Sequence, residues 1–342
     1  MSPLPFFKKR AGAKVGLDIG NFNLKVIEIE KKSPKAGSYD VTALGMKNIR
    51  GAPDLAGAIK ELFAEAKIGS REVAISLSGE NVVSRHISLP KMSEDETRKA
   101  LTFELEDHIP FKPSEIYFDY YIMGDDPAAK NRMKVFLVAV RKDTLDRRVA
   151  VMQEAGLTPV AVTTDTLALR NTLCNNYPEK KQSNITLINI GDKITNILIA
   201  KEGIPYFVRD TAFGGHVITT LLQTKLEMDT GGAENLKHNL KDAPEDVQKL
   251  INNTLVVLLN ETFTSLDFYE NLTEQKIDGI YLSGGLSQLF GLTEFLRERV
   301  GIDVAPLEPF KNFNLSPRLD QEKIRLSAPY FAIAVGLALE EP

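Results

Sequence analysis

The chain carries the same strand–turn–strand pattern twice, and this repeat constrains its fold more than any other feature. Residues 15–31 read VGLDIGNFNLKVIEIEK and residues 186–203 read TLINIGDKITNILIAKEG. The two segments align without a gap, so that Asp18-Ile19-Gly20 matches Asn189-Ile190-Gly191 at an offset of 171 residues. Each copy has apolar residues on both sides of an Ile-Gly turn, which predicts a β-hairpin. The repeat therefore indicates a duplicated core built on two equivalent hairpins.

Length and composition describe an ordinary globular chain. Its 342 residues, 43% apolar and 26% charged, suffice for two to three domains with a sizeable core. The net charge of −4 argues against bulk nucleic-acid binding, which needs a basic surface. No apolar run approaches the roughly 20 residues of a membrane helix. The single cysteine, Cys174, cannot form an internal disulfide and indicates a reducing compartment, and its apolar helical surroundings predict a buried thiol.

The first residues, MSPLPFFKKR, are too short in their apolar part for a signal peptide. Residues 1–13 are predicted to be a flexible leader. Weak contact of the aromatic and basic side chains with an anionic membrane surface is the alternative.

Residues 73–162 are predicted to form an inserted α+β unit. Its pattern reads β-β-α-β-β-α-β, with EVAISLSG and VVSRHISLP interpreted as one strand pair. A helix follows Ser93, where Glu96 three residues on completes a capping-box signature. The segment lies between elements of the larger duplicated core.

Three glycine turns are candidate anion sites. A tight glycine turn between strands exposes backbone N–H groups that can bind an anion, and two matched turns indicate halves that enclose one ligand. In the first copy, Lys25 lies across the turn from Asp18, so its ammonium could meet phosphate oxygens while Asp18 holds a Mg²⁺-bound water. A surface lysine on a hairpin is the alternative. The third turn, Gly284-Gly285, links a buried strand to a helix, where a ligand can approach closely.

The order of these motifs resembles the actin/Hsp70/sugar-kinase superfamily: Asp-x-Gly-(x)₄-Lys, a second Ile-Gly hairpin, then strand-Gly-Gly-helix. The stretches ISLPKMSEDETRKALTFELEDHIPFKPSEIYFDYYIMG, FLVAVRKDTLDRRVAVMQEAGLTPVAV, SLDFYENL and APYFAIAVGLALE narrow the resemblance to the PilM family of type IV pilus assembly proteins, which is related to FtsA. The resemblance implies an α/β, actin-like duplicated ATPase fold with two lobes around a nucleotide cleft. Lobe IA would comprise residues 14–72 and 163–185, residues 73–162 would be a 1C-type subdomain, and residues 186–342 would form lobe II with a C-terminal helix returning to lobe I.

The resemblance also implies a binding site for ATP or ADP with Mg²⁺. Asp18 would hold the metal through water, and Glu234 and Lys237 of an Ala-Glu-x-x-Lys helix would lie near ribose and adenine. An exposed helical ion pair is the alternative for these two residues. The full set implied for the nucleotide is Asp18, Gly20, Asn21, Asn23, Lys25, Asn189, Gly191, Asp192, Thr195, Gly214, Gly215, Glu234, Lys237, Gly284, Gly285 and Ser287.

Family members bind the cytoplasmic N-terminal peptide of PilN, an inner-membrane protein, in a groove between the 1C-type subdomain and the core. Groove residues implied here are Arg85, Leu89, Phe103, Ile109 and Phe111, each of which also suits a core or surface position. The implied location is the cytoplasm, at the inner membrane through partners. Other pilus inner-membrane and motor components are further implied partners, nucleic acid is not, and self-association is left open.

Asn189 departs from the pattern, because actin-type ATPases carry an acid at this place. An amide still forms hydrogen bonds but lacks the charge and cannot act as a base. The sequence therefore predicts nucleotide binding with at most weak ATP turnover. Asp165, at the start of a helix, is the candidate to orient a water molecule, with a helix N-cap as the alternative.

The predicted function is a cytoplasmic, ATP-binding adaptor of type IV pilus assembly. A sugar kinase of the same superfamily is one alternative, although nothing marks a sugar pocket. An FtsA-like filament protein would end in an amphipathic membrane helix, whereas this chain ends GLALEEP. The cytoplasmic part of a type II secretion protein would continue into a membrane span.

Overall fold

The computed structural model describes residues 14–31, 39–126 and 129–340, so the predicted leader at residues 1–13 lies outside the described part. Strands and helices are numbered in chain order. A six-stranded sheet has the order β14-β3-β2-β1-β4-β8. Its strands are β1 (Lys14–Ile19), β2 (Asn23–Lys31), β3 (Tyr39–Asn48), β4 (Glu72–Leu77), β8 (Thr158–Thr164) and β14 (Phe313–Leu315). Together with the helices on its two faces it is called lobe I.

A five-stranded sheet has the order β11-β10-β9-β12-β13. Its strands are β9 (Ile185–Ile190), β10 (Thr195–Lys201), β11 (Ile204–Thr211), β12 (Gly279–Ser283) and β13 (Val304–Pro306). Helices α5 (Gly215–Leu226), α6 (Thr230–His238), α7 (Glu245–Thr273) and α8 (Leu292–Val300) supply buried residues to one apolar cluster with it. This unit is called lobe II.

A smaller sheet, β5-β7-β6, forms the inserted subdomain with helix α2. Its elements are β5 (Val82–Pro90), α2 (Glu94–His108), β6 (Ile116–Asp125) and β7 (Arg132–Arg141). The predicted capping box is present: Ser93 Oγ accepts from the Glu96 backbone, and the Glu96 carboxylate accepts from Ser93 N–H at 2.9 Å. Helix α2 buries Leu101 and Leu105 against the sheet.

The order of elements predicted for residues 73–162 is found, but the pairing of the first two strands is wrong. Strand β4 lies beside β1 and β8 in the large sheet, whereas β5 pairs with β7. The boundaries at residues 73 and 162 therefore fall one strand outside the small sheet. Two successive strands joined by a short turn need not pair, because the buried position of β4 between β1 and β8 satisfies both of its edges.

The two large sheets are joined through helices that lie between them. Helices α4 (Asp165–Asn176) and α10 (Ala332–Ala338) share one apolar cluster with residues of both sheets. Helices α1 (Leu55–Glu65) and α3 (Lys142–Glu154) cover the opposite face of the lobe I sheet, and α9 (Gln321–Ser327) leads into the C-terminal segment. The central strands β1 and β9 are consequently buried on both faces rather than on alternate residues.

The C-terminal helix α10 packs on lobe I closely enough to exclude side chains at two glycines. A Cβ at Gly336 would lie 1.7 Å from the carbonyl oxygen of Ala168 in α4, and one at Gly16 would lie 2.1 Å from that of Ala334. Only glycine permits such backbone contact. The chain therefore begins and ends its described part in lobe I.

The chain crosses between the lobes at two places that are joined by side-chain hydrogen bonds. The first crossing follows α4 and the second follows β13. Tyr177 Oη accepts from the Glu308 backbone N–H at 2.9 Å, and Asn176 Oδ1 accepts from the Asn312 N–H at 2.9 Å. Asn176 Nδ2 donates to the Pro309 carbonyl at 2.9 Å. The two crossings thus run side by side as one tied segment.

The inserted subdomain is also attached to lobe II. His86 of β5 donates through Nε2 to the Pro205 carbonyl at 2.6 Å; burial of the ring lowers the pKa of His86, and this hydrogen bond opposes the shift. The backbone N–H of Gly79, just before β5, donates to Asp210 Oδ2 at 2.8 Å. Strand β11 therefore carries both contacts.

The prediction of a buried thiol at Cys174 holds only in part, since the residue is exposed although burial raises the pKa of its thiol. Helix α4 buries Leu169 and Leu173, whereas Cys174, one position on, is exposed beside the turn at Gly203.

Candidate functional site

The two predicted hairpins are present and equivalent in register. Strands β1 and β2 pair Asp18 with Lys25, and strands β9 and β10 pair Asn189 with Asn196. Each turn closes with the same backbone hydrogen bond: Gly20 N–H donates to Asn23 O at 3.2 Å, and Gly191 N–H donates to Ile194 O at 2.9 Å. The offset of 171 residues read from the sequence therefore holds in three dimensions.

The first hairpin holds a nearly buried ion pair. Lys25 Nζ lies 2.9 Å from Asp18 Oδ2, and the two side chains are 13% and 7% exposed. The alternative of a surface lysine is wrong, because strand pairing places Lys25 directly opposite the carboxylate. A charge pair with so little water around it interacts more strongly than a surface pair.

The second hairpin replaces that ion pair by two amides. Asn189 Nδ2 donates to Asn196 Oδ1 at 3.0 Å, and Ser283 Oγ donates to Asn189 Oδ1 at 3.1 Å. Asn196 Nδ2 donates to Asp210 Oδ1 at 2.8 Å. The sequence analysis did not identify Asn196, although it lies 171 residues after Lys25 and the repeat could have identified it. Both members of the charged pair, and not only the acid, are thus neutral in the second copy.

The third glycine turn lies against the second hairpin. Gly284 has a left-handed backbone with φ +84°, and a Cβ there would lie 2.5 Å from the carbonyl oxygen of Ile190. A side chain would therefore be strained in conformation and would also collide with β9. Gly285 then opens a short 3₁₀ turn, and Ser287 Oγ donates to the Gly284 carbonyl at 2.7 Å.

Helix α5 begins on the second hairpin turn, at the glycine pair Gly214-Gly215. The Gly215 N–H donates to Gly191 O at 2.9 Å, and the His216 N–H donates to Asp192 O at 2.8 Å. Gly214 lies so close to Asp192 that a Cβ would be 2.4 Å from its carbonyl oxygen. The turn and the helix start are therefore held together by backbone contacts.

Glu234 and Lys237 of α6 form an ion pair of 2.7 Å that is only 17% and 11% exposed. The alternative of an exposed helical pair is wrong. Thr219 of α5 donates to Glu234 at 2.7 Å, and Lys237 donates to Thr219 Oγ at 3.0 Å. Packing of α6 on α5 removes this pair from solvent.

These elements line one open cleft between the two hairpins. The predicted residues that line it are Asp18, Gly20, Asn21, Asn23, Lys25, Asp165, Asn189, Gly191, Asp192, Gly215, Glu234, Lys237, Gly284 and Gly285. Lining residues that the sequence did not single out are Ile19, Phe22, Ser78, Ile194, Asn196, His238, Leu286, Tyr330 and Ile333. Lysines from both lobes reach this cleft, together with backbone turns that a Cβ would block, so the donor set fits a phosphate-bearing ligand.

Three predicted residues do not line the cleft. Thr195 is fully buried and donates to the Phe213 carbonyl at 2.9 Å. Gly214 is covered by Asp192, and Ser287 bonds to its own turn. Each of these three residues contacts the backbone of a segment next to the cleft, but not the cleft itself.

Asp165 is not the N-cap of α4. Thr164 caps the helix, since its Oγ accepts from the Leu167 N–H at 3.2 Å. Asp165 is the next residue and points into the cleft beside Ser76 and Ser78. Burial, with the nearby charge of Asp18, raises the pKa of Asp165 to about 6, and hydrogen bonds from the two serines oppose this. A carboxyl group with a pKa near neutrality can accept a proton at physiological pH.

We expect the raised pKa of Asp165 to make stability fall as the pH rises. Below its ordinary pKa of about 3.9 the group is protonated in both states, and between about pH 4 and pH 6 only the folded state keeps the proton. Asp165→Asn should therefore match the parent near pH 4 and exceed its free energy of unfolding by about 1–3 kcal/mol at pH 7. Urea denaturation followed by circular dichroism between pH 4 and pH 7 measures the free energy of unfolding of both proteins. Asp107→Asn, at an exposed carboxylate on α2, is the control, and an equal response of both variants to pH contradicts the prediction.

The five predicted partner residues differ in exposure. Leu89 and Ile109 are buried in the core of the inserted subdomain, and Phe111 packs half-buried against it with the Arg141 guanidinium 5.8 Å from its ring centre. Phe103 is 83% exposed on the outer face of α2, because Leu101 and Leu105 of the same helix face the sheet. Arg85 is exposed on β5. Apolar character alone did not distinguish core from surface here.

Within residues 14–31, 39–126 and 129–340, no helix is both long and apolar enough to cross a membrane. The same residues contain no group of three or more His, Cys, Asp or Glu side chains arranged to hold a metal ion.

Comparison with known proteins agrees with this geometry. The family model for the type IV pilus assembly protein PilM matches residues 16–342. The chain is similar to the solved PilM-PilN type IV pilus biogenesis complex, with 27% identity, a TM-score of 0.86, and 96% of this chain and 98% of that chain covered. It also shares its fold with the ethanolamine utilization protein EutJ from Carboxydothermus hydrogenoformans, at 14% identity and a TM-score of 0.56, covering 98% and 92% of the two chains. The predicted actin-like ATPase fold is thereby confirmed, and the chain belongs to the PilM family of type IV pilus assembly proteins.

Proposed function

We propose that this protein is an ATP- or ADP-binding adaptor of type IV pilus assembly. The observation that carries the proposal is the single cleft between two equivalent hairpins, of which one presents the Asp18–Lys25 ion pair and the other a neutral amide pair. Phosphates would meet Lys25 and the glycine turns of both hairpins. Glu234, Lys237 and the turn at Gly284 would hold the nucleoside end of the ligand.

The same residues fit a magnesium ion bound largely through water. Mg²⁺ usually keeps several water ligands and takes only one or two carboxylates from a protein. Asp18 would supply the nearest carboxylate, and the bound ion would neutralise phosphate charge. Asp165, with its raised pKa, would accept a proton from a water molecule in the cleft.

Turnover is proposed to be weak because the second hairpin has two amides, Asn189 and Asn196, where the first has a carboxylate and a lysine. Asn189 donates to Asn196 and accepts from Ser283, and its amide has no charge and cannot act as a base toward an attacking water. Phosphoryl transfer depends on positioning and on charge stabilisation, and only the first hairpin has a charged pair at this register position. The bound nucleotide would then stabilise the closed cleft, rather than power repeated opening and closing through ATP hydrolysis.

The proposed partner is a PilN-like inner-membrane protein, bound through its cytoplasmic N-terminal peptide. The similar solved structure is a complex of PilM with PilN, which supports this choice. The protein would act in the cytoplasm, at the inner membrane through this and other pilus components. The inserted subdomain and the edge of lobe I next to it are the proposed binding region, with Arg85, Phe103 and Phe111 as its accessible residues.

The test combines calorimetry with peptide binding on the full chain. ATP–Mg²⁺ at a hundred times its Kd should raise the free energy of unfolding by about 2.7 kcal/mol, whereas adenosine alone should give a much smaller change. A labelled N-terminal peptide of the PilN-like protein should bind more tightly with ATP–Mg²⁺ present, and the peptide should tighten ATP binding by the same factor. A scrambled peptide is the control. Absence of any thermal shift with ATP–Mg²⁺ contradicts the nucleotide role, and equal binding of both peptides contradicts the partner.

A further inference from the structure

Arg50 connects the two lobes across the mouth of the cleft. It follows β3 in lobe I, where its backbone N–H donates to Asn48 Oδ1 at 2.9 Å. Its guanidinium lies 3.2 Å from Glu234 Oε1 and 3.7 Å from Asp192 Oδ1, both in lobe II. The side chain is 28% exposed, and the two carboxylates are 17% and 9% exposed. These contacts are here called the Arg50 bridge.

The guanidinium is held in place from the lobe I side. Its carbon atom lies 4.7 Å from the ring centre of Phe22, which belongs to the turn between β1 and β2. Stacking on an aromatic face fixes the plane of the guanidinium and leaves its edge for carboxylates. Because Phe22 also lines the cleft, the bridge lies directly beside the space for a ligand.

Glu234 links the bridge to the interior of the cleft. One of its oxygens meets Arg50, and the other meets Lys237 at 2.7 Å. Burial by itself would raise the pKa of Glu234, but hydrogen bonds from Lys237 and Thr219 and the charges of Lys237 and Arg50 lower it. The carboxylate is therefore ionised at neutral pH, and both cations compete for it. A ligand that engages Lys237 leaves more of the carboxylate charge to Arg50.

We propose that the Arg50 bridge is a latch that holds the lobes closed and sets the rate at which a bound ligand leaves the cleft. This inference rests on the proposed nucleotide site for the identity of the ligand, but not for the existence of the latch. Arg50 is not itself a lining residue of the cleft, and it acts on ligand exchange through the position of lobe II. Loss of a hydrogen-bonded, partly buried charge pair chiefly accelerates dissociation.

A matched control is available on the same strand. Lys47 of β3 also contacts two carboxylates, Glu61 at 3.1 Å and Glu65 at 2.7 Å, but both lie on α1 within lobe I. Lys47→Ala therefore removes a cation and two ion pairs from the same edge without removing a contact between the lobes.

The experiment measures release of a fluorescent ATP analogue after an ATP chase in the full chain. We expect dissociation about tenfold faster in Arg50→Ala, less in Arg50→Lys, more in Arg50→Glu, and unchanged in Lys47→Ala. Hydrogen exchange of the ligand-free protein is the second measurement. Arg50→Ala should accelerate exchange in residues 189–194 and 230–238 relative to both the parent and Lys47→Ala.

The outcomes separate the two proposals. Unchanged release and unchanged exchange in Arg50→Ala overturn the latch, as does an equal effect of Lys47→Ala. If the parent binds no nucleotide, the proposed function fails, and the exchange measurement alone decides the latch.

Discussion

Lys25→Ala is expected to lower the free energy of unfolding by about 3–5 kcal/mol, the cost of removing one partner of a buried ion pair. Asp18 would remain in a site where it is 7% exposed and where the carboxyl of Asp165 lies nearby. Lys25→Ala should also abolish nucleotide binding, because Lys25 is the cation of the first hairpin. Urea denaturation followed by circular dichroism and calorimetry with ATP–Mg²⁺ measure the two effects.

The second hairpin supplies a control for this prediction. Asp18→Asn combined with Lys25→Asn copies the natural Asn189–Asn196 pair into the equivalent register position. We expect this double variant to regain most of the lost stability, because two hydrogen-bonded amides leave no charge unpaired. It should still fail to bind nucleotide. A double variant as unstable as Lys25→Ala, or one that binds ATP like the parent, contradicts the assignment.

Gly336→Val is expected to destabilise the protein by about 3 kcal/mol or more, since overpacking against backbone cannot relax by a change of rotamer. The new Cβ would lie 1.7 Å from the Ala168 carbonyl oxygen, so α10 must move away from α4. Ile333 of α10 lines the cleft, and nucleotide affinity should fall together with stability. Thermal denaturation and calorimetry are the measurements.

Gly69→Val is the matched control for that substitution. No atom lies within 4 Å of a Cβ at Gly69, and its backbone φ lies outside the left-handed region. We expect a change within about 0.5 kcal/mol, as for other surface substitutions. Equal effects at the two glycines would show that loss of backbone freedom, rather than the contact of α10 with α4, controls the stability.

The repeat and its chemistry were predictable because both are local. Alternation and the Ile-Gly turns fix the pairing of Asp18 with Lys25, and the same offset places Asn189 opposite Asn196. The boundaries of the inserted subdomain were not predictable, since β4 and β5 have similar strand patterns and only tertiary pairing separates them.

Arg50 gave no signal in the sequence because Glu234, its partner, lies 184 residues further along the chain. The alternative role of Asp165 as a helix cap is wrong. Thr and Asp are both good N-caps, and here Thr164 caps α4 while the adjacent Asp165 lines the cleft. The groove residues show the same limit, because a periodic apolar pattern marks Leu89 and Phe103 alike although one is buried and the other exposed. Contacts between distant segments decided each of these cases.

The tied crossings at Tyr177–Glu308 and Asn176–Asn312 fix where the molecule can bend. A lobe that is attached through two adjacent chain segments hydrogen-bonded to each other has one easy motion, a rotation about the line through these segments. Lobe II is therefore expected to rotate about this line, a motion that would separate the two sides of the Arg50 bridge. Because α10 returns to lobe I, both ends of the described chain belong to lobe I. A probe or partner fixed near either end would then report on the stationary half, and motion must be observed from lobe II.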